Sequence, residues 1–362
     1  MKTVKLNLGP RSYNIYIGKG IIGELPSLIK LDAPSAPIFI VTNRKICNLY
    51  ADKLENALKP FGKKILFYEV PDSEKAKSFP IYIRTIRRLA RFARKTRPLV
   101  CAFGGGVIGD LAGFVASAYR RGVPYIQIPT TLLAQVDSAI GGKVAIDIKE
   151  AKNIVGNFYQ PKIVMCDLQF LKTLPDKELR NGLVEIIKYG IIEDEGLFSF
   201  LEKNIDRILR LDTKSMEHII FRSCAIKAKV VEKDELDTKG MRNMLNFGHT
   251  LGHAIEAASC YSRSITHGQA VAIGIIMASR IALEMNLIAK NDYEKICLFI
   301  QKISPERSLK NIKQKDILNA LSYDKKFIYG ENRFILPRKI GFVEIIDGIP
   351  RALIKKVVET YL

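Results

Sequence analysis

Residues 98–110 read P-L-V-C-A-F-G-G-G-V-I-G-D. The apolar part, 98–103, is a short run of the kind buried in a parallel sheet. It passes directly into Gly104, Gly106 and Gly109, which match G-x-G-x-x-G before a helix-like segment. In that setting glycine lets backbone N–H groups and a helix start approach a pyrophosphate. The acidic residue expected about 20 positions further on is missing. By itself the turn therefore also reads as a tight glycine turn with no ligand.

The surrounding chain repeats the same pattern. Strands are expected at 37–42 (P-I-F-I-V-T), 64–70, 123–128 and 162–167, with helices over 43–60 and 78–95. Residues 3–8 and 13–17 read as paired strands about the Gly9-Pro10 turn. This β–α rhythm predicts a doubly wound, mostly parallel Rossmann-like α/β domain over 1–175. After Leu174-Pro175 the pattern becomes almost wholly helical to about 330, with extended structure at 333–336 and 341–346 and a last helix from Arg351. A second, all-α domain is expected over 176–362.

A second stretch, 242–268, holds three of the four histidines: R-N-M-L-N-F-G-H-T-L-G-H-A-I-E-A-A-S-C-Y-S-R-S-I-T-H-G. As one helix over 243–258, it puts Arg242, Asn246, His249 and His253 at offsets 0, 4, 7 and 11. Those offsets trace one face of a helix with roughly 3.6 residues per turn. A guanidinium, an amide and two imidazoles on one stripe point to a ligand, because burying them unpartnered is costly. Gly248 and Gly252 remove side chains beside the histidines, so another element or a bound molecule can come close. Histidines four apart have a helical metal-binding spacing. Thr250 follows His249, so the H-E-x-x-H protease pattern is absent. A third ligand must come from elsewhere, with His267 and upstream carboxylates as candidates.

Glu185 and Lys188, three apart in L-V-E-I-I-K-Y-G, project from one helix face. They read equally as a surface ion pair or as part of a site. Asp137, the Gly141-Gly142 pair and Lys143 fall together in another turn-like segment.

Composition excludes several classes. The 362 residues are 48% hydrophobic and 26% charged, as in a soluble globular protein of two domains. No apolar run is long enough to span a bilayer, and the first ten residues carry no signal-peptide core. The net charge of +20 is spread as single Lys and Arg along helical stretches, with no tryptophan and no interleaved aromatics. It reads as a solvated surface that can gather a small anion, not as a nucleic-acid face. Cysteines 47, 101, 166, 224, 260 and 297 show no C-x-x-C pair and read as reduced thiols of a cytoplasmic protein.

Taken together the motifs resemble the 3-dehydroquinate synthase family over essentially the full chain. They are P-D-x-E-x-x-K at 71–77, G-G-G-V-I-G-D at 104–110, R-G-V at 121–123, P-T-T-L-L-A-Q-V-D-S at 129–138, G-G-K at 141–143 and K-N at 152–153. L-K-T-L-P at 171–175, E-I-I-K-Y-G at 185–190, L-N-F-G-H-T-L-G-H-A-I-E at 245–256, H-G at 267–268 and D-K-K at 324–326 follow in order. The resemblance implies an NAD-binding α/β domain, a helical metal- and substrate-binding domain, a cytoplasmic location and a homodimer. It implies one divalent metal, zinc or in its place cobalt, on Glu185, His249 and His267. NAD contacts would come from Asp72, Ser73, Glu74, Lys75, Ala76, Lys77, Gly106, Val107, Ile108, Gly109, Asp110, Thr130, Thr131, Lys143, Lys152, Phe170, Leu171, Lys172 and Thr173. Substrate-facing groups would be Arg121, Asp137, Lys143, Asn153, Lys188, Lys227, Arg242, Asn246, His253 and one of Lys325 and Lys326, with Lys326 assigned.

The implied substrate, 3-deoxy-D-arabino-heptulosonate 7-phosphate, carries a carboxylate and a phosphate, which Lys and Arg recognise by charge-assisted hydrogen bonds. The implied reaction is transient NAD-dependent oxidation, phosphate elimination, reduction and intramolecular aldol closure to 3-dehydroquinate, a step of the shikimate pathway. His253, on the stripe but outside the implied ligand set, is the proton-shuttle candidate. Three positions depart from the family pattern: Ser73 and Ala151 replace glycines, and Gln269 replaces a glutamate, removing a negative group near His267. Two readings stay beside this one, a sister sugar-phosphate cyclase and a metal-dependent polyol dehydrogenase that would release NADH. A non-catalytic basic binding protein is a third, and it would not need these polar groups.

Overall fold

The computed structural model describes residues 1–29, 36–61, 64–149, 151–259, 265–304, 309, 312–322 and 332–362. The first part runs β1 (Lys2–Leu6), β2 (Tyr13–Gly18), α1 (Leu25–Leu28), β3 (Ile38–Asn43), α2 (Arg44–Leu58), β4 (Ile65–Val70), α3 (Phe79–Ala93), β5 (Leu99–Gly104), α4 (Gly106–Ala118), β6 (Tyr125–Pro129), β7 (Lys143–Ile146), β8 (Val155–Phe158) and β9 (Ile163–Asp167). It continues with α5 (Asp176–Glu193), α6 (Glu195–Leu209), α7 (Thr213–Lys233), α8 (His249–Ala258), α9 (His267–Glu284), α10 (Lys290–Ile303), α11 (Gln314–Ser322), β10 (Arg333–Lys339), β11 (Phe342–Asp347) and α12 (Arg351–Thr360). No helix among the described residues is long and apolar enough to cross a membrane.

Two compact units form. The first contains Met1–Pro175 and Leu211–Leu236. Its seven-stranded sheet has the order β1-β2-β9-β6-β5-β3-β4, parallel except for β1 against β2. Alternation along each strand divides the core. Phe39, Val41, Val100 and Ala102 face α3 and α4, where they meet Leu89, Leu111 and Val115. Ile38, Ile40, Leu99, Cys101 and Phe103 face the other way, toward Leu54 and Leu58 of α2. Burying each such side chain is worth roughly 1.5–3 kcal/mol, and no polar group interrupts β5. This is the doubly wound, mostly parallel α/β arrangement that the β–α rhythm of 1–175 predicts. The β7–β8 hairpin is an addition that the sequence reading did not contain.

The division of the chain differs from a single cut after 175. Helix α7 belongs to the first unit. Glu232 accepts hydrogen bonds from the Asn7 backbone at 2.6 Å and its side chain at 2.9 Å, the Lys2 ammonium lies 5.2 Å from the Phe221 ring, and Arg11 pairs with Glu235. These partners sit more than 200 residues away along the chain, so no local pattern announces them.

The second unit contains Asp176–Arg210 and Asp237–Leu362. It is helical apart from the β10–β11 hairpin. The expected continuous helix over 243–258 is broken: Met241–Asn246 is a 3-10 turn, Gly248 takes φ +77°, and α8 starts at His249. The break lets α8 cross α9 closely. A Cβ on Gly248 would lie 2.5 Å from the Ile275 side chain, and one on Gly274 would fall on the Gly248 carbonyl oxygen. The close approach that the glycines suggested is therefore with α9. Of the cysteines, 47, 101, 166, 224 and 297 are free thiols, and Cys260 lies outside the described residues.

Candidate active site

In the first unit, chain order is 2-1-3-4-like across β4-β3-β5-β6, so the winding direction reverses between β3 and β5. Open α/β sheets bind ligands beyond the carboxyl ends of their strands at such a switch point. The 72–77 segment follows β4, the glycine turn follows β5, Thr130 and Thr131 follow β6, and 170–173 follow β9. All four groups of expected cofactor contacts thus lie along one edge of the sheet.

The glycine turn is shaped by what packs on it. Gly105 precedes α4, and its carbonyl accepts the Ile108 and Gly109 N–H groups at 3.1 Å. A Cβ on Gly106 would stand 2.8 Å from Ser138 Oγ. The start of a 13-residue helix leaves first-turn N–H groups without intrahelical acceptors and favours an anion. These residues fit a pyrophosphate-bearing cofactor. Asn43 caps α2 by accepting the Ile46 N–H, and its amide donates to Asp72 at 2.8 Å. Ser73 has φ −169°, extended backbone that serine adopts without strain. Phe170 and Leu171 are buried, Phe170 edge-on to Tyr50 and Phe103, whereas Lys172 is exposed.

Lys77 is buried and ties this edge together. Its ammonium lies 2.8 Å from Asp110, 3.4 Å from Glu74 and 3.8 Å from Asp147, and it donates to Asn153. Burial opposes its charge, but the three carboxylates hold its pKa above the ordinary value. Burial pushes the Asp110 carboxyl up to about 6, against the pull of Lys77. Asn153 takes φ +56° and donates its backbone N–H to Asp147. Elsewhere in this unit the buried Lys227 donates to the Asp137 carbonyl at 2.7 Å and carboxylate at 2.5 Å. Arg121, Lys143 and Lys152 are exposed, and Thr130 is buried.

In the second unit, Glu185 and Lys188 face inward from α5 and are almost wholly buried, with Lys188 Nζ 2.5 Å from Oε2. This is not a surface pair. His249 Nε2 lies 3.4 Å and His267 Nε2 3.8 Å from Glu185 Oε1. Neither Glu185 oxygen accepts a hydrogen bond of good geometry. Burial alone would raise the Glu185 carboxyl, but Lys188, then His249 and His267, hold it well below the usual carboxylate range. His249 Nδ1 lies 3.1 Å from the Phe247 carbonyl, which can only accept, so Nδ1 carries a proton and Nε2 is the nitrogen left facing Glu185. One donor atom from each of Glu185, His249 and His267 falls within 4.8 Å of the others. A buried carboxylate and two imidazole nitrogens brought together in this way fit a divalent cation with an open position.

His253 is exposed, its ring centroid 5.3 Å from that of His249 and 6.1 Å from that of His267. Arg242 is buried and Asn246 half-buried on the 3-10 turn before α8. Lys325 and Lys326 lie outside the described residues. One residue escaped the sequence reading: Glu256 Oε2 lies 3.2 Å from His267 Nδ1. Its signal was legible, because positions 249, 253 and 256 continue one helical face.

Residues 67–181 match the family described as 3-dehydroquinate synthase N-terminal, and 182–327 the one described as 3-dehydroquinate synthase C-terminal. The chain belongs to the 3-dehydroquinate synthase family. The 3-dehydroquinate synthase of Desulforamulus reducens is 43% identical over 353 residues, covering 97% of this chain and 98% of the relative. Among solved structures, a 2-deoxy-scyllo-inosose synthase complexed with carbaglucose-6-phosphate, NAD+ and Co2+ has a TM-score of 0.90 at 25% identity, covering both chains completely. The 2-epi-5-epi-valiolone synthase of Streptomyces hygroscopicus subsp. jinggangensis, with NAD+ and Zn2+ bound, shares the fold at a TM-score of 0.87 and 24% identity, covering 100% of this chain and 99% of that one. The dehydroquinate synthase fold therefore has an α/β part and a helical part here as well.

Proposed function

We propose that the chain converts 3-deoxy-D-arabino-heptulosonate 7-phosphate to 3-dehydroquinate and phosphate by transient oxidation, phosphate elimination, reduction and aldol closure. One observation carries this reading: the buried Glu185 carboxylate faced by two imidazole Nε2 atoms, in a chain that aligns end to end with dehydroquinate synthases.

NAD would be held along the carboxyl edge of the sheet by 72–77, 106–110, Thr130, Thr131 and 170–173, with Lys143 and Lys152 as further contacts, and it supplies reversible hydride acceptance when bound. Zinc or cobalt would be held by Glu185, His249 and His267, and it supplies Lewis acidity toward a substrate hydroxyl when bound. The chain's own groups do the remaining work. Arg121, Lys143, Lys188, Lys227, Arg242 and Lys326 supply cations for the substrate carboxylate and phosphate. Asn153 and Asn246 orient hydroxyls, and Asp137 holds the Lys227 ammonium in place. His253 holds and moves a proton at its ring, since imidazole titrates near neutral pH. A cytoplasmic homodimer belongs to the same proposal, and light scattering of the purified chain tests the dimer.

The deciding experiment incubates the protein with the heptulosonate phosphate, NAD+ and Zn2+ and follows phosphate and NADH together. Phosphate released without accumulating NADH is the expected result. Accumulating NADH without phosphate selects a dehydrogenase, and neither signal rejects the proposal.

A further inference from the structure

His267 and His249 both turn Nε2 toward Glu185, but they are held by different means. The Phe247 carbonyl fixes His249. For His267 the partner of Nδ1 is the carboxylate of Glu256, at 3.2 Å, from the last turn of α8. The Glu256 side chain is largely buried, with a relative exposure of 17%, against 35% for His267. Gln269, two residues beyond His267, does something else. Its side chain accepts the Thr266 N–H at 3.0 Å while Thr266 Oγ1 accepts the Gln269 N–H, a capping box that starts α9. The loss of a glutamate at 269 thus leaves a helix cap there, and the negative group on His267 comes from α8.

We propose that Glu256 is a positioning residue: it accepts a hydrogen bond from His267 Nδ1–H and so leaves the Nε2 lone pair free, on the side of Glu185, for a cation. A carboxylate accepts only, so the hydrogen bond selects the Nδ1–H tautomer. It also raises the donor strength of the ring, as carboxylate–histidine pairs do beside metals. The consequence for metal affinity rests on the metal reading above. The consequence for the tautomer does not.

The test uses the full chain with Glu256→Ala and Glu256→Gln. Nitrogen-15 NMR of the metal-free protein at mildly alkaline pH reads the His267 tautomer, and chelator competition reads Zn2+ affinity. Wild type should show Nδ1–H. Glu256→Ala should move His267 toward Nε2–H and weaken zinc roughly 10–100-fold. Glu256→Gln, isosteric and still able to accept, should keep the tautomer and weaken zinc about tenfold through loss of the charge. If Glu256→Ala does not fold, Glu256→Gln decides, and zinc affinity equal to wild type overturns the proposal. An unchanged tautomer in a folded Glu256→Ala overturns it as well. Failure of the wild type to bind zinc rejects the metal reading instead, and the NMR arm still decides for Glu256.

Discussion

Lys188 Nζ lies 2.5 Å from Glu185 Oε2, one turn along α5, and the two side chains are among the most buried charges of the chain. Removing one member of a buried pair leaves the other uncompensated. The Glu185 carboxyl is held below its ordinary value of 4.5. A depressed carboxyl contributes stability that is present above the unfolded pKa and is lost as pH falls through that value toward the folded one.

Lys188→Met should therefore destabilise the metal-free chain by roughly 3–5 kcal/mol at neutral pH. Saturating Zn2+ should recover part of that loss, since a cation held by Glu185 would take over part of the role of the ammonium. Urea unfolding with chelator and with zinc measures both effects. Equal metal-free stability of variant and wild type would refute the pairing argument.

His267→Ala and His253→Ala should separate ligation from proton transfer. The first should lose stoichiometric metal and turnover together, because its Nε2 faces Glu185. The second should keep about one metal per chain and near-normal NAD affinity while turnover falls by roughly 10²–10⁴, the usual range for an acid–base group. Metal content and phosphate-release rate are measured on one preparation. Metal loss in His253→Ala would make it a ligand, and turnover within a few-fold of wild type would make it a bystander.

Gly106→Val should weaken NAD binding sharply without disturbing zinc binding. Its Cβ would stand 2.8 Å from Ser138 Oγ, so Ser138 or the turn must shift before the branched methyls are placed. Calorimetric titration with NAD on the zinc-loaded chain gives the comparison. The same dissociation constant in both proteins would remove the turn from the cofactor site.

Asp110 gives a pH signature. Its folded pKa of about 6 lies above the ordinary 3.8, so the folded chain holds a proton that the unfolded chain has released between those values. Stability from that proton is complete below the unfolded value and is lost as pH rises through about 6. Relative to Asp110→Asn, wild type should therefore lose roughly 1–3 kcal/mol between pH 4 and pH 7. Parallel denaturation series read the difference, and a gap that stays constant with pH contradicts the raised value.

The α/β alternation, the glycine turn and the clustered histidines were legible in sequence because each is local. Alternate apolar residues in 38–41 and 99–103 must point to opposite faces of a sheet, and the helices that follow must cover both. Ordered motifs along the chain sufficed for the family. Local pattern could not reveal α7 joining the first unit, because its partners Lys2 and Asn7 are more than 200 residues distant. It also could not reveal the break at Gly248. Helical periodicity runs through 243–258, and only the crossing with Gly274 of α9 makes a left-handed glycine the better solution there. Glu256 carried the right spacing and no indication of its partner. Composition and period along a chain determine which faces residues share. Which face meets which, and so which nitrogen of His267 is left to donate, was decided only when α8 and α9 packed together.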